Sequence, residues 1–359
     1  MIRRIVIVAF YAVIFFFSVG YPWRTATAVE PIKWRFSTVF PYQEGNYGDN
    51  SFAYRWLADK IKERTQGRLV LNIGWSNSLG YKGPDILRAI KSNILESSEV
   101  TLPFHEVEVP WFGVLYITNL SKGPKSTKLI FEALRPLAEE TFSKYDAILL
   151  AFFPQLGEGS QVTLWTNREI KTVQDFKGMK VRGFSKVHAE CLLEKLGAGV
   201  VWIPTPEIQT ALKTGIVDSV TNGGISLGWA SRVAEVVKYA YEFSYPIPPI
   251  GFAIGVNRHS FERLPVDLQK IVKDTGRDFE EYAWKTSFEP ESYGLAGREG
   301  IQAHLDKVAG HKFLWKPLPP SMMDQFYQMS KQFLDVYAKR AGSTGEKARE
   351  LMLNTLGEK

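Results

Sequence analysis

Residues 175 to 222 hold the densest arrangement of side chains suited to chemistry. Asp175-Phe176-Lys177-Gly178-Met179-Lys180-Val181-Arg182 is followed by Leu196-Gly197-Ala198, then by Pro206-Glu207 and by Ala211-Leu212-Lys213-Thr214-Gly215-Ile216-Val217-Asp218. The residues before Arg182 place it at the end of a short strand, pointing out of a sheet at its carboxyl edge. That edge is where open α/β sheets bind ligands. A guanidinium offers a planar pair of donors matched to a carboxylate, and it keeps its charge at any physiological pH. In a cleft, Arg182 is a clamp for a carboxylate; on an open face it is one surface charge among many.

A second pattern points elsewhere. Gly224-Ile225-Ser226-Leu227-Gly228 matches G-x-S-x-G, with His259 or His304 and Asp218 or Asp267 as conceivable partners. A nucleophile elbow requires an apolar strand running directly into the first glycine. Here Thr221-Asn222-Gly223 stand between, and no HGGG-type oxyanion segment lies upstream. A secreted serine hydrolase using Ser226 is thus the alternative function, and a protein without enzymatic activity is the expected one.

Other chemistries find less. The five histidines (His105, His188, His259, His304, His311) show no HExxH or HxH spacing, and the single cysteine, Cys191, excludes an internal disulfide or a Cys-rich metal cluster. No Walker A loop and no complete GxGxxG is present. No cofactor and no metal site is expected, although an ion bridging a ligand stays open.

Three of the 44 basic residues, Arg3, Arg4 and Arg24, fall within the first 28 positions, which contain no Asp or Glu. Without that segment the formal charge drops from +6 to +3, with no run of five Lys and Arg, so there is no electrostatic footprint for nucleic acid. Arg3 and Arg4 precede an apolar stretch from Ile5 to Val19, and Ala26-Thr27-Ala28 supplies small residues for a cleavage site. This is the layout of a secretory signal peptide over residues 1–28, cut after Ala28. The apolar run is short of the roughly 20 residues that cross a bilayer, which disfavours an uncleaved anchor. The mature protein is expected free in the periplasm.

Behind these residues must stand elements able to place them. The chain of 359 residues, 45% hydrophobic and 23% charged, has the composition of a folded protein of about two domains. From Ile32, short apolar runs alternate with amphipathic stretches, the pattern of an α/β fold. Strands are expected at 32–39, at Leu69-Leu71-Ile73, and at 147–153. Helices are expected from Asp49 or Asn50 to Gly67 with Phe52, Trp56 and Ile61 inward, at 84–92, and at 126–144. A second unit follows, with strands at 162–166 and 200–203, helices at 187–196 and 207–214 ended by Gly215, a further strand at 252–256, and helices beyond Pro265.

The segments in residues 170 to 225 resemble the solute-binding subunits of TRAP transporters, where the corresponding pattern runs D-x-K-G-x-K-x-R, L-G-A and E-x-Y-x-A-L-Q-x-G-x-V-D-G. Weaker similarity extends to Gly67-Arg68, Leu79-Gly80 and Leu264-Pro265. The resemblance implies a two-lobed periplasmic binding protein fold with a hinge and a long spanning helix. Lobe I would take residues 29–158 with about 248–287, and lobe II residues 159–247 with about 288–359. It further implies that Arg182 pairs with the carboxylate of a small organic acid, that Asn222 supplies a polar contact, and that the loaded protein meets TRAP membrane subunits. Asn222 could equally be a helix N-cap or turn residue ahead of Gly223-Gly224.

The sequence departs from the family pattern at Gln209, Lys213 and Ser219, on the motif helix and its exit. Gln161-Val162-Thr163 stands where some members carry a second arginine, which favours a monocarboxylate over a dicarboxylate. Trp75, Trp202 and Trp229 fall beside expected strand ends or helix starts facing the cleft, and Tyr42 with Gln43 follows the first strand. All are candidates for its walls, since ligand sites combine aromatic surfaces with a few polar anchors; each is equally a packing residue.

Overall fold

The structure is a computed structural model that describes residues 30–357 apart from 41, 43–49, 155–160, 205–206, 225–231, 246–249 and 289–296. The leader segment, Gln43, Ser226 and Trp229 therefore lie outside the described residues.

The first half alternates strand and helix: β1 (Ile32–Ser37), α1 (Asn50–Arg64), β2 (Leu69–Gly74), α2 (Ile86–Lys91), β3 (Ser97–Thr101), α3 (Pro124–Lys144) and β4 (Ala147–Pro154). Helix α1 turns Ala53, Tyr54, Leu57 and Ile61 into the core, the recurrence of one helical face. Trp56, half-buried, packs against that core as expected and stacks on Tyr282 at 4.9 Å, and Phe52 meets the same ring at 6.2 Å.

The second half begins with β5 (Val162–Thr166) and β6 (Lys180–Gly183), then α4 (Lys186–His188), which runs on as a π-turn over Ala189–Leu193. It continues through β7 (Gly199–Trp202), α5 (Ile208–Lys213), β8 (Ser219–Gly223) and β9 (Tyr239–Glu242). Gly215 closes the turn after α5 at φ +73°, a backbone position where a side chain is strained. The chain then gives β10 (Gly251–Asn257), α6 (Arg258–Glu262), α7 (Val266–Phe288), α8 (Gly297–Ala309), β11 (Leu314–Pro317), α9 (Pro320–Arg340) and α10 (Gly342–Leu356).

Two sheets result, ordered β2-β1-β3-β10-β4 and β11-β9-β5-β8-β6-β7. In the first, β1, β2 and β3 are parallel, while β10 runs antiparallel to both β3 and β4. In the second, β7, β6 and β8 are parallel, while β5 runs antiparallel to β8 and β9. All seven residues of β10 are buried, which explains its apolar run in the middle of a sheet. Each sheet with its helices is one lobe of a mixed α/β fold.

The long helix α7 packs on β4 and α1 in the first lobe. Helix α9 touches both the π-turn of the second lobe and the buried segment Pro110–Tyr116 of the first, and α10 lies against α3. One large apolar core draws on both lobes, and a smaller one around Trp165, Val220, Phe313 and Trp315 fills the outer face of the second sheet.

Candidate functional site

The second sheet reverses its strand order at one place. From β6 the chain goes out to β7 and returns to β8 on the other side of β6. The carboxyl ends of β6 and β8 therefore flank a crevice, the position at which open α/β sheets bind ligands. Arg182 is the third residue of β6 and lies beside Val220 of β8. It is 7% exposed. Its Nε donates to the Ile203 carbonyl at 3.1 Å and one terminal nitrogen to the Thr221 carbonyl at 3.3 Å, so backbone just past β7 and backbone within β8 fix the plane of the guanidinium. Burial pulls its pKa down to about 10, which leaves it cationic at neutral pH.

Asn222 is not a helix cap or a turn residue; it is the fourth residue of β8 and fully buried. Its Oδ1 accepts the indole N–H of Trp165 at 2.8 Å. With the carbonyl thus engaged, the amide keeps its Nδ2 as a donor that is itself buried, and among the described residues that nitrogen has no partner. Thr163, in the region of the missing second arginine, pairs across the strands with Asn222 and is itself buried.

The aromatic candidates divide. Trp202 ends β7 with 54% of its surface exposed, its ring beside Gly183, where a Cβ would come within 3.1 Å of it. Trp75 follows β2, half-buried, and meets Tyr42 edge-on at 5.7 Å between ring centres. Tyr42 is 52% exposed and has the Arg55 guanidinium 5.4 Å from its ring. The structure thus brings Arg182, Asn222 and Trp202 to one sheet edge, and Tyr42 with Trp75 to the corresponding end of the other sheet.

Strand β8 runs up to Gly224, the first glycine of the G-x-S-x-G segment. Its last residues are nevertheless Thr221, Asn222 and Gly223 rather than an apolar run, and Ser226 is outside the described residues. Two buried residues escaped sequence reasoning. Trp165, read only as strand, orients Asn222. Glu99 is buried in β3, a strand written Ser-Ser-Glu-Val-Thr that apolar alternation does not reveal. An acid within a short β-branched and serine-rich run was the available signal.

Residues 51–295 match the family described as bacterial extracellular solute-binding protein, family 7. A monocarboxylate 2-oxoacid-binding periplasmic protein of Nostoc is 22% identical over 246 residues, which are 67% of this chain and 64% of that protein. In structure, an extracytoplasmic solute receptor of Bordetella pertussis that binds pyroglutamic acid superposes with a TM-score of 0.76 at 24% identity, covering 90% of this chain and all but 1% of its own. A TRAP periplasmic solute-binding protein of Pseudoalteromonas atlantica, solved with sodium and pyruvate, gives 0.73 at 21% identity over 91% of this chain and 94% of its own. With well over half of its length matched, the chain belongs to the bacterial extracellular solute-binding proteins of family 7.

Proposed function

We propose that this protein captures a small organic monocarboxylate outside the cytoplasm and delivers it to the membrane subunits of a TRAP transporter, without covalent chemistry. The observation that carries this reading is the pairing, at the strand-order reversal of the second sheet, of a buried cationic Arg182 with an Asn222 amide aimed by Trp165. Removing a carboxylate from water is costly unless a fixed cation and hydrogen bonds replace its hydration. Arg182 and Asn222 supply both. Thr163 in place of a second cation supports a single negative charge on the ligand.

The ligand binds by closing the two lobes, because it touches both only in the closed state and so favours that state. Export follows from the leader segment, with cleavage after Ala28. Among the described residues no three His, Cys, Asp or Glu side chains stand together to cage a cation; this reading places neutralisation of the ligand on Arg182.

Calorimetric titration of the periplasmic protein with a panel of mono- and dicarboxylates tests the proposal. Monocarboxylate binding should weaken by about 2–5 kcal/mol in Arg182→Ala, the range for removing one partner of a buried charge pair. Arg182→Lys, which keeps the charge but not the planar fork, should fall between. Equal affinity in all three proteins would overturn the assignment. Hydrolysis of activated esters that disappears in Ser226→Ala would favour the enzyme instead.

A further inference from the structure

The first sheet carries its own reversal of strand order. From β1 the chain goes out to β2 and then crosses back to β3 on the other side of β1, so the carboxyl ends of β1 and β3 flank a second crevice of the kind that binds ligands. At it stands Glu99. The side chain is enclosed, yet its carboxyl bridges the two strand ends: it accepts the Thr38 hydroxyl at 2.7 Å and the Val39 amide at 3.2 Å from just beyond β1, and the Thr101 hydroxyl from the end of β3. Among the described residues no Lys or Arg pairs with it.

A carboxylate has about four acceptor positions, and these three donors leave one. Keeping an ionisable group buried without a cation is expensive, and such groups cluster where function retains them. Burial raises its pKa above the ordinary carboxyl value, the three donors working against that rise. The crevice also communicates with the opposite lobe. Tyr116, whose phenol is held far above its usual range by burial and by the charges of Glu106 and Glu99, has its ring 6.3 Å from that of Phe184. Phe184 lies two residues beyond Arg182.

We propose that Glu99 is the specificity residue of the first lobe, taking a hydrogen bond from an N–H or O–H group that the ligand carries close to the carboxylate held by Arg182. This deepens the function proposed above and rests on it. The two strand-order reversals then bear complementary groups, a cation for the ligand's carboxylate and a carboxyl for its donor. The substrate class is a small monocarboxylate with a neighbouring amide or hydroxyl donor, and a second carboxylate is turned away by Glu99.

The probes are L-pyroglutamate and its lactone analogue, in which the ring N–H is replaced by oxygen, titrated into the protein purified from the periplasm. The wild type should bind the amide about 10- to 100-fold more tightly than the lactone, which sets an oxygen lone pair against Glu99. In Glu99→Gln that preference should fall below about threefold, while Arg182→Lys should weaken both ligands together. The wild-type ratio needs no variant to fold, and circular dichroism checks the variants. A wild-type ratio below about threefold, or a ratio kept in folded Glu99→Gln, overturns the assignment of Glu99 while leaving carboxylate capture intact. Failure of the wild type to bind either probe also overturns it, and the carboxylate panel then decides separately whether Arg182 holds an acid.

Discussion

Trp165 on β5 donates its indole N–H to the Asn222 side-chain carbonyl on β8 at 2.8 Å, and this bond decides which end of the amide is left, among the described residues, without a partner. Trp165→Phe keeps the packing against Phe313 but frees the amide to rotate. Ligand affinity should fall about tenfold, the worth of one hydrogen bond at its upper range, with a small loss of stability. Titration of the variant beside its thermal denaturation separates the two effects, and unchanged affinity would show that Asn222 needs no orienting partner.

Acid should weaken the fold through two buried histidines. Burial pulls His188 down to about 3 and, as the largest cause, His105 down to about 4. Both rings are therefore neutral in the native state at pH values where the unfolded chain, with an ordinary histidine pKa near 6.5, takes up protons. Below about 6.5 the unfolded state binds more protons, so stability falls as pH drops from there toward 4, and in the case of His188 toward 3. Urea unfolding of wild type and His188→Gln between pH 4 and 7 should give curves whose difference shrinks toward low pH, by one proton's slope. Parallel curves would place that ring outside the linkage.

Glu106 joins the lobes. From the segment after β3, its carboxylate accepts the Lys186 amide at 3.0 Å and the Ser185 hydroxyl at 3.2 Å, at the start of α4. An acid at a helix start satisfies amides that otherwise lack partners. Glu106→Ala should cost about 1 kcal/mol and shift the ligand-free protein toward open forms. Small-angle scattering should then show a larger radius of gyration without ligand and the wild-type value with it; identical ligand-free curves would deny the contact any part in closure.

Gly113 sits where the buried segment Pro110–Tyr116 passes α9. A Cβ there would collide with the Tyr337 phenol, which donates to the Pro110 carbonyl at 2.8 Å, and would press on Val187 at 2.8 Å. Gly113→Ala should destabilise by about 1–3 kcal/mol through overpacking. Recovery of melting temperature on a second change, Tyr337→Leu, which removes both the hydroxyl and the ring carbon nearest that Cβ, would identify the Tyr337 ring as the obstacle, and its absence would point to Val187.

The fold was legible where burial writes itself in side chains. Strand β4, with Ala-Ile-Leu-Leu-Ala-Phe-Phe, and helix α3 announce themselves by continuous and periodic apolarity. Strand β3 does not, because its residues are buried by contact with polar neighbours and hydrogen bonds, as in Ser98 to the Ser37 carbonyl, rather than by apolar matter. Arg182 is marked by its place at the end of a short strand, whereas Asn222 enters only through the resemblance to TRAP solute-binding subunits, the strand that carries it not being expected from the sequence. Trp165 and Glu99 could not be named, since their roles depend on which strands become neighbours, a property of sheet order that no local window contains.

That order has a consequence for how the chain is made. Strand β10 is inserted between β3 and β4 yet is synthesised about a hundred residues after β4. Any nascent fragment stopping before Gly251 lacks the strand that joins β3 to β4, so the first sheet is completed only after five of the six strands of the second have been made.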